Sequence, residues 1–275
     1  MNDRLTELLG KGAMGARVGT FHSVCLEIIR DGSPWARWEV DANDKMKLNL
    51  KKILGWSPDG STLNWKGADL SDVAGFIGTC KNDLIGPEDS AMIVQENMMD
   101  RRFVEAYFAY EDRREQEQLI TFDDMLKLAV EHLRSDADAR MRWEGRYEHV
   151  VVDEFQDTNL AQYELVKLLT ASAASLMVVG DDAQSIYRWR GARPEYFTSF
   201  EEAHEAKRVD LTINYRSIPP IVRHGEAVIS HSNECLHKDV EAHREDPGTG
   251  CVECVRMPDT DYEARWGAER IKELR

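Results

Sequence analysis

Two short apolar runs, each ending in adjacent acidic residues, constrain this chain more than any other feature of its sequence. His149-Val150-Val151-Val152 runs into Asp153-Glu154, and Leu176-Met177-Val178-Val179 runs into Gly180-Asp181-Asp182. A short β-branched run without polar alternation reads as a strand buried on both faces of a parallel sheet. Between the two runs, LAQYELVKLL (160–169) has helical spacing. Strand, helix, strand is a βαβ unit, so the predicted class is α/β with a parallel sheet. In such sheets ligands lie beyond the carboxyl ends of the strands, which is where both acidic pairs are expected.

The flanking segments differ in character. Residues 16–30, ARVGTFHSVCLEIIR, read as a short strand, a polar turn and a helix. Residues 31–118 are charged, rich in Trp and Met, and helical in period: Leu70, Val73, Ile77, Cys80 and Leu84 form one stripe, Phe103, Val104, Tyr107 and Phe108 another. Both stripes read as helix core. Thr121-Phe122-Asp123-Asp124 fits a capping box, with Thr121 as N-cap, Asp124 at the third helical position and MLKLAVEHL following. Asp123 and Asp124 therefore read as helix-start charges rather than catalytic groups. Beyond residue 203 polarity rises, and LTINYRS with a helix from Pro219 opens a further domain whose last segment, YEARWGAERIKELR, is an amphipathic helix. The expected division is a core domain of residues 1–30 and 119–203, a helical insertion of 31–118, and the beginning of a second domain at 204–275.

Composition narrows the function classes. A formal charge of −15 speaks against a surface that attracts nucleic acid everywhere, but a DNA-binding groove needs only a local basic patch. No apolar run approaches the roughly 18 residues of a membrane span, and the N-terminus has no apolar signal region, so a cytoplasmic protein with no membrane partner is expected. The five cysteines, Cys25, Cys80, Cys235, Cys251 and Cys254, are an odd, scattered set that points to reduced thiols. Cys251 and Cys254, with Cys235 and His237, have the residue types of a zinc site. The strand-like alternation from Cys251 to Met257 would point the pair to opposite faces, so they read as ordinary thiols.

The chemistry concentrates in two stretches. In VVVDEFQDTN (150–159), one carboxylate at a strand end can hold Mg²⁺, which takes hard oxygen ligands, while its neighbour takes the proton of an attacking water. An Asp-Glu pair alone suits a helix cap or a surface equally well; the strand before it favours a site. Gln156, Asp157 and Asn159 add polar groups there. In VVGDDAQSIYRWRGA (178–192), a glutamine amide can sense phosphate, while Tyr187, Trp189 and Arg190 can stack on unpaired bases. The competing reading makes the two aromatics core anchors, which a loop of Asp, Gln, Ser and Arg disfavours.

Together DEFQDTN, GDDAQSIYRWRGA, TFHS at 20–23 and LTINYRS at 211–217 have the order and approximate spacing found in UvrD/Rep/PcrA-like superfamily 1 DNA helicases, which this sequence resembles over nearly its whole length. TFDD resembles the stretch where that family's chain returns from its helical insertion. The resemblance implies RecA-like domains, ATP and Mg²⁺ as cofactors, single-stranded or partly duplex DNA as partner, and usual movement 3′ to 5′. It implies that Asp153 binds Mg²⁺, Glu154 activates water, Gln184 contacts the γ-phosphate, Arg216 acts as an arginine finger and Tyr215 stacks on adenine. It further implies that Thr20, Phe21 and His22 line the DNA path and that Tyr187, Trp189 and Arg190 engage single-stranded bases. His22 without the motif reads as a turn residue. The departures are an alanine at 183, where relatives often have an acidic or polar residue, and the lack of any G-x-x-x-x-G-K-[ST] phosphate loop. In that family the loop lies upstream, and MNDRLTELLGKG resembles the helix leading from it. The expectation is a helicase fragment, inactive alone, whose partners include the remaining helicase segments or a repair or replication protein. The alternative is a non-catalytic product of a split or truncated gene that binds single-stranded DNA or a partner chain. A helicase-like subunit of a recombination nuclease shares the motifs but needs a nuclease domain that these residues do not contain.

Overall fold

The computed structural model describes residues 15–43, 45–53, 70–232, 238–246 and 255–273, with residues 7, 10, 235, 236, 248 and 252 between them. His237, Cys251 and Cys254, weighed above as zinc ligands, lie outside the described residues, as does most of the segment 1–12. The chain forms two compact units, Met1–Glu205 and Ala206–Arg275.

In the first unit the elements are α1 (Phe21–Arg30), β1 (Glu39–Val40), α2 (Lys45–Ile53), α3 (Leu70–Asn82), α4 (Pro87–Glu96), α5 (Arg102–Glu117), β2 (Leu119–Ile120), α6 (Phe122–Ser135), α7 (Ala137–Glu144), β3 (His149–Val152), α8 (Leu160–Thr170), β4 (Ser175–Val178), α9 (Glu195–Thr198) and α10 (Phe200–Ala203). The strand expected ahead of α1 does not form. A strand needs a paired neighbour; here Arg17 reaches forward to Glu27, and Thr20 Oγ1 accepts the Ser23 N–H at 3.3 Å to cap the helix.

Two apolar clusters hold the unit together. Cys25, Ile28 and Ile29 of α1 pack with Met125, Leu126, Ala129 and Leu133 of α6, Trp143 of α7, and Ala161 and Leu165 of α8. Met46, Leu50, Val73, Ile77, Cys80, Val94, Tyr107 and Tyr110 form the second, on α2 to α5, with Leu119. The α3 stripe ends sooner than its spacing suggests, because the helix stops at Asn82 and Leu84 adopts φ +59 beyond it. Phe108 of the other stripe is exposed. β1 and β2 pair in parallel, Glu39 opposite Leu119 and Val40 opposite Ile120, which closes the entrance and exit of the helical segment on each other.

β3 and β4 pair in parallel from His149 opposite Ser175 to Val152 opposite Val178, with α8 between them in sequence. The βαβ unit is therefore present, but burial on both strand faces is not. Val152 is buried while Val151 is 65% exposed, and Met177 is exposed beside it. An apolar run only permits double coverage; among the described residues helices cover one face.

The second unit contains β5 (Ile213–Asn214), α11 (Pro219–Ile229), β6 (Glu241–Ala242) and α12 (Thr260–Glu273), with β5 and β6 parallel. Pro at the first turn suits α11, since that position has no helical acceptor for an N–H. No helix among the described residues is long and apolar enough to cross a membrane.

Candidate functional site

The acidic pair stands at the carboxyl end of β3. Asp153 and Glu154 are both exposed, and the Glu154 N–H donates to Asp153 Oδ1 at 3.0 Å. Glu154 adopts φ +53, a left-handed conformation that costs a side-chain-bearing residue on the order of 1–3 kcal/mol. The surroundings hold it there. Phe155 N–H donates to Val179 O at 2.9 Å, fastening the turn to the end of β4, and Phe155 is buried against Tyr163 and Phe200.

Gln156 links this turn to the one after β4. Its side chain is buried; Nε2 donates to Glu154 Oε2 at 2.8 Å, and Oε1 accepts the Asp181 N–H at 3.1 Å. Asp181 Oδ2 in turn accepts from Gln184 Nε2 at 2.8 Å. A continuous hydrogen-bonded line thus runs Glu154, Gln156, Asp181, Gln184. Gly180 makes room for it: a Cβ there would lie 2.5 Å from Gln156 Oε1. Beside the line, burial and then the charge of Glu154 push the Asp157 carboxyl above its ordinary range. In the sequence Gln156 is only one polar group among several near the acidic pair. Its burial two residues past an acidic pair is a tertiary fact without a pattern in the sequence.

The second turn carries the aromatics outward. Trp189 is 71% exposed and Tyr187 is also exposed, so neither anchors a core. The Arg190 guanidinium lies 4.7 Å from the Trp189 ring centre and 5.8 Å from that of Tyr187. A single 3-10 turn, Arg188–Arg190, closed by Gly191 at φ +85, sets this arrangement. The result is a small cationic-aromatic platform of the type that takes bases by stacking.

Three further residues singled out in the sequence lie at the start of α1. Thr20 caps α1, and Phe21 is half-buried against the first apolar cluster. His22 sits edge-on to Phe122, ring centres 5.7 Å apart; burial lowers its pKa and Asp123 only partly opposes this. Phe122, part of the cap sequence, is 56% exposed at the first position of α6 and presents the open ring that Phe21 does not. In the second unit, Tyr215 is exposed beside His243 at 4.7 Å, and Arg216 is exposed, its N–H bound by Asn214 Oδ1 and its carbonyl by Arg244.

Among the described residues no cluster of three or more His, Cys, Asp and Glu forms a ready metal cage. An exposed carboxylate at a strand end is nevertheless the donor that suits Mg²⁺, which commonly binds one or two protein carboxylates together with phosphate and water oxygens.

The sequence model of the UvrD/REP helicase N-terminal domain matches residues 1–205. The chain is 35% identical over 247 residues to the ATP-dependent DNA helicase Rep of Escherichia coli (strain K12), covering 86% of this chain and 35% of that protein. It is 33% identical over 244 residues to the ATP-dependent DNA helicase PcrA of Leuconostoc citreum, covering 86% and 32%. With PcrA of Bacillus subtilis (strain 168) the identity is 32% over 246 residues, covering 87% and 32%. The chain spans about a third of the length of these relatives.

Proposed function

Because this chain belongs to the UvrD/REP helicase family, we propose that it forms part of an ATP-dependent DNA helicase or translocase, coupling a nucleotide-facing strand edge to a single-strand platform. The observation that supports this reading is the unbroken line from Glu154 through Gln156 and Asp181 to Gln184, which ends two residues before Ile186 and the aromatic turn. Residues 1–30 and 119–203 are assigned to a first RecA-like domain, 31–118 to its helical insertion and 204–275 to the beginning of a second.

Bound ATP and Mg²⁺ supply the transferable phosphoryl group and the neutralising charge. Asp153 is the proposed Mg²⁺ ligand. Glu154, oriented by Gln156 Nε2, is the proposed acceptor of the water proton. Gln184 is assigned to the terminal phosphate; because its amide is bonded to Asp181, a change in what it touches passes along the line to Gln156. Tyr215 and Arg216 are assigned from their motif, to the adenine and to transition-state charge respectively. Single-stranded bases are placed on Trp189, Tyr187 and Arg190, and along Thr20, His22 and Phe122, with Phe21 behind them.

These 275 residues contain no G-x-x-x-x-G-K-[ST] loop, which favours a second reading for the isolated chain: single-strand or partner binding without turnover. Purified chain is expected to bind a fluorescent oligothymidine and to show no DNA-stimulated ATP hydrolysis. Trp189→Ala is expected to weaken binding by about 1–3 kcal/mol, roughly five- to 140-fold at fixed salt. Unchanged affinity removes the platform from the DNA site, and hydrolysis by the chain alone overturns the second reading.

A further inference from the structure

Three consecutive side chains at the end of α3 reach three different parts of the first unit. Lys81 is buried and pairs with Asp124, in the first turn of α6, at 2.5 Å. The Asn82 carboxamide stands between two partners: its Nδ2 donates to Asp123 Oδ1 at 3.3 Å and its Oδ1 accepts from Asn159 Nδ2 at 2.9 Å. Asn159 is the N-cap of α8, five residues past Glu154. Asp83 Oδ1 accepts from Arg193 Nη2 at 2.6 Å, and the Arg193 backbone N–H donates to Thr158 O at 3.0 Å. Gly191, which closes the aromatic turn, lies against the same place: a Cβ on it would be 3.9 Å from the Cβ atoms of both Asn82 and Asn159.

The tip of α3 is therefore wedged between the turn that follows the acidic strand end and the turn that carries the aromatics. Its own helix is held independently, by Val73, Ile77 and Cys80 in the second apolar cluster and by the buried Lys81. A helix fixed at one end and bonded to two turns at the other sets the distance between those turns. The turn has no buried residue from Arg188 to Arg190, so packing alone does not fix it.

We infer that Asn82 and Asp83 are positioning residues for the single-strand platform: the helical segment holds Tyr187, Trp189 and Arg190 in place through Arg193 and Gly191. The inference rests on the reading of that platform as a single-strand site, but the device itself is testable without DNA. Hydrogen exchange of the purified chain, followed by mass spectrometry, reads the amides that close the turn, Arg190 and Ala192 to Tyr187 O and Gly191 to Arg188 O. Asp83→Ala and Arg193→Ala are expected to speed exchange in the peptide spanning 187–193 and to leave peptides from α6 and α8 unchanged. The exchanged pair, Asp83→Arg with Arg193→Asp, is expected to restore slow exchange, which a general loss of stability would not permit. Oligothymidine affinity of each single variant is expected to fall about three- to tenfold, a fraction of one stacked base, and the double alanine variant to fall no further than either. Unchanged exchange in the turn overturns the inference, whatever happens to DNA binding. Faster exchange with unchanged binding, in a protein where Trp189→Ala is also silent, upholds the clasp and overturns the single-strand reading. Faster exchange with unchanged binding, where Trp189→Ala does weaken binding, means that the clasp does not serve the platform.

Discussion

Replacing Lys81 by Met should destabilise the first unit more than any surface charge deletion. Lys81 and Asp124 are each 1% exposed; Lys81 also lies 2.8 Å from Glu111, while Arg114 bonds Glu111 at 2.8 and 3.0 Å and stands 3.6 Å from Asp124. Two cations and two carboxylates thus close a neutral cluster between α3, α5 and α6. Without Lys81 the cluster keeps one uncompensated negative charge away from water, a situation that costs about 3–5 kcal/mol. At 2–4 °C per kcal/mol for a unit of this size, the expected fall in melting midpoint is roughly 6–20 °C. Lys45→Met, which removes an exposed pair with Glu39, should cost below about 1 kcal/mol. Circular dichroism melts at pH 7 measure both, and 1 M salt should not change the Lys81 deficit, because buried pairs are poorly screened. Lys81→Met combined with Asp124→Asn restores neutrality, and Asn keeps an oxygen for the Thr121 N–H, so the double variant should melt above either single one. The pH dependence has a definite sign. Burial pushes the Asp124 carboxyl up, but Lys81 and Arg114 outweigh it and hold it below the usual range. Its stabilisation is present above about pH 4 and is lost as pH falls from there through the lowered folded value. Burial pushes Lys81 down, but Asp124, Tyr110 and Glu111 outweigh it and raise its pKa, so its contribution is full below about pH 10 and is lost as pH rises from there through the raised folded value. The deficit of Lys81→Met should therefore shrink at both extremes. A midpoint within 2 °C of the parent, or a double variant no better than Lys81→Met, refutes the cluster as a stabilising unit.

Gly180→Ala should destabilise the first unit by about 1–3 kcal/mol, because the added methyl meets Gln156 Oε1 at 2.5 Å and Phe197 at 3.2 Å. Guanidinium denaturation measures it, and an unmoved midpoint would mean that the turn yields freely. Burial pushes the Cys25 thiol up to about 12 and, with Asp83 adding to it, the Cys80 thiol to about 11. Neither should react with a disulfide reagent at pH 8 until the protein is unfolded; labelling of either within minutes in the native protein counts against that packing.

The sequence made the local elements legible and the tertiary joints illegible. The capping box at Thr121 and Asp124 forms as its spacing predicts, since its bonds span three residues. The helix from Leu160 and the strand pair around it follow from apolar period and run length in the same way. Asp124 shows where local reasoning stops. It is the helix-start charge its position suggests, yet its main partner, Lys81, is distant in sequence and buried with it, and a charge pattern read along the chain cannot reveal such a pair. Gln156 and Asn82 are similar: Gln156 bonds the turns after β3 and β4, and Asn82 bonds the first residues of α6 to the N-cap of α8. Phe21 is half-buried against the first apolar cluster while Phe122, at the start of α6, is exposed, a difference that their motifs do not announce.

Net charge is a poor guide to the proposed DNA contact for a related reason: it sums over every face of the protein. Glu88, Asp89, Asp112, Glu115 and Glu131 gather around one groove beside α4, α5 and α6, whereas YRWRGAR, residues 187–193, carries three arginines and no acid. Two of those arginines are engaged, Arg188 with Glu195 at 3.0 Å and Arg193 with Asp83 at 2.6 Å, and Arg190 lies over the rings. Binding at this platform should therefore depend on stacking more than on phosphate neutralisation. For single strands the slope of log affinity against log salt is about −0.7 per phosphate contact, so one or two contacts give about −0.7 to −1.4. Arg190→Ala should flatten that slope by about 0.7 as well as weaken binding, while Trp189→Ala should weaken binding and leave the slope alone. Oligothymidine titrations between about 50 and 200 mM salt separate the two effects. A slope steeper than about −3 in the parent, or one unmoved by Arg190→Ala, would place the strand on a different, more basic surface of the protein.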